Sequence, residues 1–446
     1  MLSIDTLQSR LPDIEWVTSK IHIKRLSKDF YWFSPLLTTL LADKKADIIA
    51  RPKDEAELEA LISACVDLSI PLTVRGGGTG NYGQAVPLCG GVVIDMIALK
   101  ACQWISDGVI QVQAGMRIAE LEGVTRQNGW ELRCMPSTYK AASIGGLFAG
   151  GFGGIGSVNY GPVATSGTVQ RARVLTIEKH PRIIDVSGDE LLTYHHTYGT
   201  NGIIIDLQLA LAPARSWSEY LMEFASLENA YTFCRALLDS AGIEKREISL
   251  YDGVAASYFK ELPAQLAPKR FYVIALIAPN CQVPFIALST IHGGTNVWHQ
   301  SFDEANASGL TLMEHCWNHS TLQALKHDKS FTNLQTNYDS ACALEQLKEV
   351  EIQAGKEVFI HLEFIRNAHS QVLITGLPLV KYTSDQRLLD LIEIHRKIGI
   401  KVNNSHTYTL EDGKHGGTLD QSILDSKAAN DPHNLLNPGK IRTLND

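Results

Sequence analysis

Two kinds of residue in this chain are spaced so as to do chemistry. The first is glycine, packed densely into Arg75-Gly-Gly-Gly-Thr-Gly-Asn-Tyr-Gly83 and Ser143-Ile-Gly-Gly-Leu-Phe-Ala-Gly-Gly-Phe-Gly-Gly-Ile-Gly156. Without side chains, such stretches let backbone N–H groups close on an anion, and a diphosphate suits the pair; the plainer reading is that the glycines only make tight turns. The second kind handles protons or stacks. Glu314-His315-Cys-Trp317-Asn318-His319 gathers two imidazoles, an indole and an amide. That set suits substrate stacking by Trp317 and proton transfer by His319, against the alternative of a helix-surface or core histidine. On a strand over 358–365, His361 and Glu363 share one face by the period of two, either as a proton-handling pair or as two solvent-facing side chains. In Asn404-Ser-His406-Thr-Tyr408, His406 and Tyr408 are further candidates for the reacting centre.

The glycine spacing carries a trap. Gly78-Thr-Gly80-Asn-Tyr-Gly83 and Gly151-Phe-Gly153-Gly-Ile-Gly156 both match G-x-G-x-x-G. A Rossmann fingerprint must open a helix aimed at the pyrophosphate, with an acidic residue about 20 positions on. Gly83 is followed by Gln-Ala-Val-Pro87-Leu-Cys-Gly90-Gly91 and Gly156 by Ser-Val-Asn-Tyr-Gly-Pro162, which read as breakers rather than helices. Two loops are expected, with no nicotinamide-type helix.

The elements that must position these residues follow from periodicity. Asp54 stands where an N-cap would, and Leu58, Leu61, Ile62 and Cys65 recur on one helical face, so a helix is predicted that stops before Pro71. Strands are predicted over 70–74, 92–96, 109–114 and 169–177, and a helix over 117–128. Gly199-Thr-Asn-Gly-Ile-Ile204 reads as a turn feeding a buried strand that Pro213 closes, and a domain boundary is placed there. Beyond it, strands over 220–224, 271–277 and 358–365 and a helix over 227–238 alternate where glycine is sparse. The expected division is a first domain over 1–213, a second over 214–395, and a segment over 396–446 that returns to the first.

Bulk properties agree with a two-domain globular protein: 446 residues, 45% hydrophobic and 20% charged. The net charge of -8 and the absence of a basic run argue against nucleic acid. The eight cysteines form no C-x-x-C, which argues against zinc and thioredoxin-type sites and for buried thiols in a reducing compartment. The opening MLSIDTLQSRLPDIEW lacks a secretory pattern, and no apolar run approaches the roughly 20 residues that span a bilayer. A soluble cytoplasmic protein is the expectation.

The order of segments then becomes specific. Ile-Pro-Leu-Thr-Val-Arg75-Gly-Gly-Gly-Thr-Gly, Gly-Gln84-Ala-Val-Pro-Leu, Pro136-Ser-Thr138 with Ala-Ser143-Ile-Gly-Gly146, Gly199-Thr-Asn-Gly-Ile-Ile204 and Asn437-Pro-Gly-Lys440 together resemble the vanillyl-alcohol oxidase and p-cresol methylhydroxylase (PCMH-type) flavoproteins. The first loop is most similar to the D-lactate/glycolate dehydrogenase branch. The resemblance covers 45–213 and the last twenty or so residues. It implies an α+β, two-domain PCMH-type FAD-binding fold with an antiparallel-sheet cap that holds substrate.

It also implies cofactor contacts from Arg75, Gly76, Gly77, Gly78, Thr79, Gly80 and Gln84, from Pro136, Ser137, Thr138, Ser143, Gly145, Gly146, Gly153 and Gly156, and from Gly202, Ile203, Ile204, Asn437 and Lys440. The FAD is expected to be noncovalent. Thr79 stands where members with a histidyl-flavin bond carry His, and no Cys occupies 141–143, although Cys134 lies just upstream. No metal is expected: His361-Leu-Glu-Phe-Ile-Arg-Asn-Ala-His369 lacks the glycines of the metal-binding branch, and Ser405-His406-Thr stands where that branch has Glu-His-Gly.

The expected activity is hydride transfer from a small alcohol or hydroxy acid to flavin N5. The alternatives are an NADPH-using reductase of carbon–carbon double bonds and a non-catalytic flavin- or ligand-binding protein. The expected partners are a small-molecule substrate and an electron acceptor, which is oxygen, a quinone or a carrier protein; a homodimer is compatible with the sequence.

Overall fold

The computed structural model describes residues 2–259, 262 and 266–444. The Asp54 carboxylate accepts the Glu57 N–H and starts the helix Glu55–Asp67, which buries Leu58, Leu61, Ile62 and Cys65. These pack against a four-stranded sheet in the order Glu15–Val17, Ile48–Arg51, Val92–Asp95, Leu72–Arg75. The last three strands are parallel, and Leu72–Arg75 delivers the chain into the first glycine stretch from the sheet's edge. That edge is covered by the C-terminal tail: Leu72 N–H donates to the Leu435 carbonyl at 2.8 Å and Asn437 N–H to the Leu72 carbonyl at 2.6 Å.

A second sheet is built around the eleven-residue strand Ile203–Pro213, flanked by Val109–Gln113 and Val169–Leu175 and also paired with Trp130–Leu132. Its alternate side chains fill two cores. Leu207, Leu209 and Leu211 join the larger one, while Ile203 and Ile205 join the one beneath the four-stranded sheet.

Residues after 213 form an eight-stranded antiparallel sheet in the order Thr295–Gln300, Ser218–Phe224, Phe271–Ile277, Lys245–Asp252, His361–Arg366, Val372–Gly376, Gln335–Tyr338, Lys401–Asn403. The helix Leu227–Asp239 packs Ala230, Phe233, Cys234 and Leu237 into the core with Phe224 and Val273. Among the described residues, no helix is long and apolar enough to cross a membrane.

Two elements differ from expectation. The run over 358–365 is not one strand: Val358–Phe359 joins Leu379–Lys381 in a small sheet, and His361–Arg366 joins the large one. Asp252 ends the ladder there, because its Oδ2 takes the Ile360 N–H at 2.5 Å in place of a backbone carbonyl, while its own N–H still makes the in-register bond to the Ile360 carbonyl. The second glycine stretch is not all loop. Ser143 Oγ accepts the Gly146 N–H at 3.2 Å and caps the helix Ile144–Gly150, and one further helical turn, Ser157–Tyr160, follows Gly156. Glycine is required there because Gly145 lies against Ala114, leaving no room for a side chain.

Candidate active site

Where the sheets meet, a cavity of about 400 Å³ opens, within the size range of small-molecule sites. One wall is Gly76–Gly80 with Gln84; a second holds Pro136, Ser137, Thr138, Ser143, Gly145, Gly146 and Gly153; Gly202 and Ile204 contribute a third. The glycines are needed for close approach. A Cβ on Gly76 would strike Ser143 Oγ, one on Gly77 the Ala141 carbonyl, and one on Gly80 the Gln84 amide. Gln84 Nε2 donates to the Gly150 carbonyl at 2.7 Å and ties the two glycine stretches together. Thr79 and Thr138 face each other across 3.4 Å.

Five of the residues expected at the cofactor stand outside the lining. Arg75 lies behind the first loop, donating to the Lys28 carbonyl at 2.6 Å. Asn437 Nδ2 donates to the carbonyls of Gln84 (3.0 Å) and Tyr198 (2.7 Å), and the buried Lys440 ammonium donates to the Gly83 carbonyl. Burial pulls Lys440 down to about 7, against the pull of Asp29. Gly156 is turned away, giving its N–H to the Arg246 carbonyl, and Ile203 points into the core under the four-stranded sheet. Arg75, Asn437 and Lys440 brace the loops from behind; Gly156 and Ile203 have no side of the cavity.

The opposite wall comes from the large sheet. Gln335 and Asn337 face the cavity from alternate positions of one strand, and Thr375 Oγ1 donates to Asn337 Oδ1 at 3.0 Å. Trp317, Asn318 and His319 close one side. Trp317 holds a backbone φ of +52°, and its ring presses on Gly153, where a Cβ would come within 2.6 Å of the indole. The His319 ring reaches the Ser137 backbone carbonyl, while Nδ1 has no partner among the described residues. A carbonyl only accepts, so the nitrogen facing Ser137 carries the proton and Nδ1 keeps its lone pair. Burial lowers this imidazole to about 4, opposed by Glu314.

The other sequence candidates are elsewhere. His361 and Glu363 do share a face, but both are wholly buried behind the wall, facing neither the cavity nor solvent; Glu363 pairs in register with Thr375, which does line it. His406 turns away to Ser34, with 2.9 Å between Nδ1 and the hydroxyl. Tyr408 lies under the Lys440 ammonium, 5.5 Å from its ring centre. Both were expected near the reacting centre, and neither lines it; among the described residues of this segment, the lining comes from Asn403–Asn404 before them and from Leu410, Gly413 and Lys414 after.

Sequence reasoning missed His195, His196 and Tyr198, which line the cavity beside Tyr82. His196 and Tyr198 both sit at positive φ, +52° and +56°, a backbone that non-glycine residues keep only where the surroundings enforce it. Burial lowers His195 to about 3 and His196 to about 4. The adjacent imidazoles just before Tyr-Gly-Thr-Asn-Gly were the available signal. Among the described lining residues there is no arginine; Lys414 is the cation and Asp29 the acid, the latter pushed up to about 6 by burial.

Comparison with known proteins supplies the ligand. Residues 46–179 match the family described as FAD binding domain. A D-lactate dehydrogenase of Archaeoglobus fulgidus is 26% identical over 238 residues, 48% of this chain and 52% of that protein. Glycolate oxidase subunit GlcD of Escherichia coli (strain K12) is 27% identical over 192 residues, 41% and 38% of the two chains. The chain thus spans about half or less of these relatives' length. Among solved structures, an alkyldihydroxyacetonephosphate synthase superposes with a TM-score of 0.75 at 16% identity, covering 98% of this chain and 84% of that one. The glycine cradle fits FAD, since Gly76, Gly77, Gly78 and Gly80 put backbone without side chains along the cavity, where a diphosphate must approach. The chain is a flavoprotein of the PCMH-type FAD-binding fold, built around an FAD binding domain.

Proposed function

We propose that this flavoprotein is an oxidoreductase, a dehydrogenase or oxidase that removes a hydride from the hydroxyl-bearing carbon of a small organic alcohol or hydroxy acid. The observation that carries the reading is the Nδ1 of His319, without a partner among the described residues and set in the same cavity as the glycine loops. FAD supplies the hydride-accepting ring when bound. The protein supplies the rest. His319, neutral above about pH 4, takes the hydroxyl proton at Nδ1 while the Ser137 carbonyl fixes the ring's orientation. Trp317 and the large sheet exclude water from the side opposite the loops.

Within that substrate range the wall favours the uncharged alcohol. A carboxylate is best anchored by an arginine fork, and Lys414 is the sole cation among the described lining residues. Noncovalent attachment is supported by the lining: Thr79 faces the cavity, no cysteine does among the described residues, and Cys134 is turned to Ser157. In this reading 1–213 holds the cofactor, 214–395 supplies the substrate wall, and 396–446 braces the loops.

The test is anaerobic mixing of the purified yellow protein with a panel of alcohols and hydroxy acids while the visible flavin band is followed. Bleaching by a member of the panel, restored by air or a quinone, is the expected result. Bleaching by NADPH alone would convert the reading to a reductase. A protein that stays yellow with every donor would sink the oxidoreductase reading and leave a flavin-binding protein.

A further inference from the structure

Trp317 stands out as a bulky residue in left-handed backbone at the cavity wall. Such a conformation costs free energy unless neighbours enforce it. The neighbours here form a closed circuit. The Trp317 N–H donates to Glu363 Oε1 at 2.6 Å, and the Trp317 carbonyl accepts from Ser320 Oγ at 3.1 Å. Between those two ends lies His361, with Nε2 at 2.8 Å from the same Glu363 oxygen and Nδ1 at 2.8 Å from Ser320 Oγ. Tyr251 stacks on the imidazole with 4.3 Å between ring centres, and all of these side chains except the indole lie behind the cavity lining.

We propose that Glu363 and His361 are positioning residues that fix the Trp317 indole in the cavity wall by holding both ends of its backbone. The proton count follows from the geometry. Ser320 has one hydroxyl proton; with it on the Trp317 carbonyl, Ser320 accepts from His361 and the imidazole carries its proton on Nδ1. His361 Nε2 must then share a proton with Glu363 Oε1. Burial raises the Glu363 carboxyl to about 7 and lowers the His361 imidazole to about 3, which leaves that proton on Glu363 below neutrality. Glu363 Oε1 therefore accepts from Trp317 while donating to His361, and only a protonated carboxyl oxygen can do both. The second oxygen accepts from Ser249 Oγ at 2.6 Å; Glu247 is hydrogen-bonded to this carboxyl and shares its proton demand, and Cys234, Tyr251 and Cys316 also lie in its field.

The chemistry dictates the variants. In Glu363→Gln the shape is kept, but an amide oxygen accepts without donating and an amide nitrogen donates without accepting, so one of the two contacts is lost. Ser320→Ala cuts the circuit at its other end with almost no change in volume. Each protein is compared with its own Trp317→Phe counterpart by near-ultraviolet circular dichroism, which isolates one of the seven tryptophans. FAD affinity is measured in parallel.

In both variants the Trp317 contribution is expected to collapse and FAD Kd to rise about tenfold, the usual consequence of one lost hydrogen bond to a charged or strongly polar group, with the far-ultraviolet spectrum unchanged. Variants that keep the full Trp317 signal and FAD affinity would overturn the proposal. Should Glu363→Gln not fold, Ser320→Ala alone decides. The affinity arm rests on the flavin reading, but the dichroism arm does not: a parent protein that takes up no FAD would remove that reading and still leave the Trp317 test standing.

Discussion

Asn437 Nδ2 donates at 3.0 Å to the carbonyl of Gln84, a residue whose own side chain ties the two glycine stretches together. The tail therefore holds the first glycine loop through its backbone. Asn437→Ala leaves two buried carbonyls, those of Gln84 and Tyr198, without this donor, at a cost of about 1–3 kcal/mol. Weaker FAD binding is expected, by about tenfold or more, read by fluorescence titration. Unchanged affinity would show that the loop keeps its shape unaided.

The glycines of the first loop divide from those elsewhere by what a methyl would meet. Gly77→Ala places a Cβ against the Ala141 carbonyl and is expected to abolish FAD uptake while the protein stays folded. Gly123, inside the helix Ile118–Gln127, has nothing among the described residues within 4 Å of a Cβ. Gly123→Ala is expected to raise stability by about 0.5–1 kcal/mol in thermal melts. The opposite pair of results would mean that the cradle is looser than described.

His319→Gln removes the proposed proton acceptor and keeps much of the volume. Turnover should fall by roughly 10²–10⁴-fold, with FAD affinity little changed. In the parent protein the acid limb of the rate profile should lie near pH 4 rather than 6.5, because burial holds the imidazole neutral. The sign for stability follows: the unfolded chain takes up this proton first, so the contribution is complete above about pH 6.5 and is lost as pH falls through 4. An acid limb near 6.5 would move the role to a more exposed group.

Glu363 behaves in the opposite sense. Its folded value is raised to about 7 by burial, so its contribution is complete below the unfolded value of about 4.5 and is lost as pH rises through 7. Melting temperature should therefore fall more steeply between pH 5 and 8 (roughly the window between the two values) in the parent than in Glu363→Gln. Asp29 and Asp252, both raised to about 6 by burial, contribute equally to the two proteins and cancel in the comparison. Parallel curves would show that Glu363 is ionised throughout.

The glycine cradle and the elements before Pro213 were legible because each rests on a local rule: Asp54 as a cap, Leu58 through Cys65 on one face, glycines where no other residue fits. Trp317 and His319 were legible by type and by crowding. The direction of His406 was not, because it is decided by Ser34, 372 positions away in sequence. The burial of His361 and Glu363 was hidden for a similar reason. A period of two names the shared face, and only the strand Lys245–Asp252 and the segment carrying Trp317 decide what covers it. His195 and His196 offered a signal by type alone, since two adjacent imidazoles in a non-periodic stretch name no face.

The bracing of Gly83 by Lys440 joins groups 357 positions apart. Contacts of that span form late, after nearer pairings have paid the loop-closure entropy. The glycine cradle should thus be among the final parts of the molecule to acquire its shape. In refolding, recovery of helix and sheet should run ahead of FAD capture, and added FAD should trap the last step rather than speed the first.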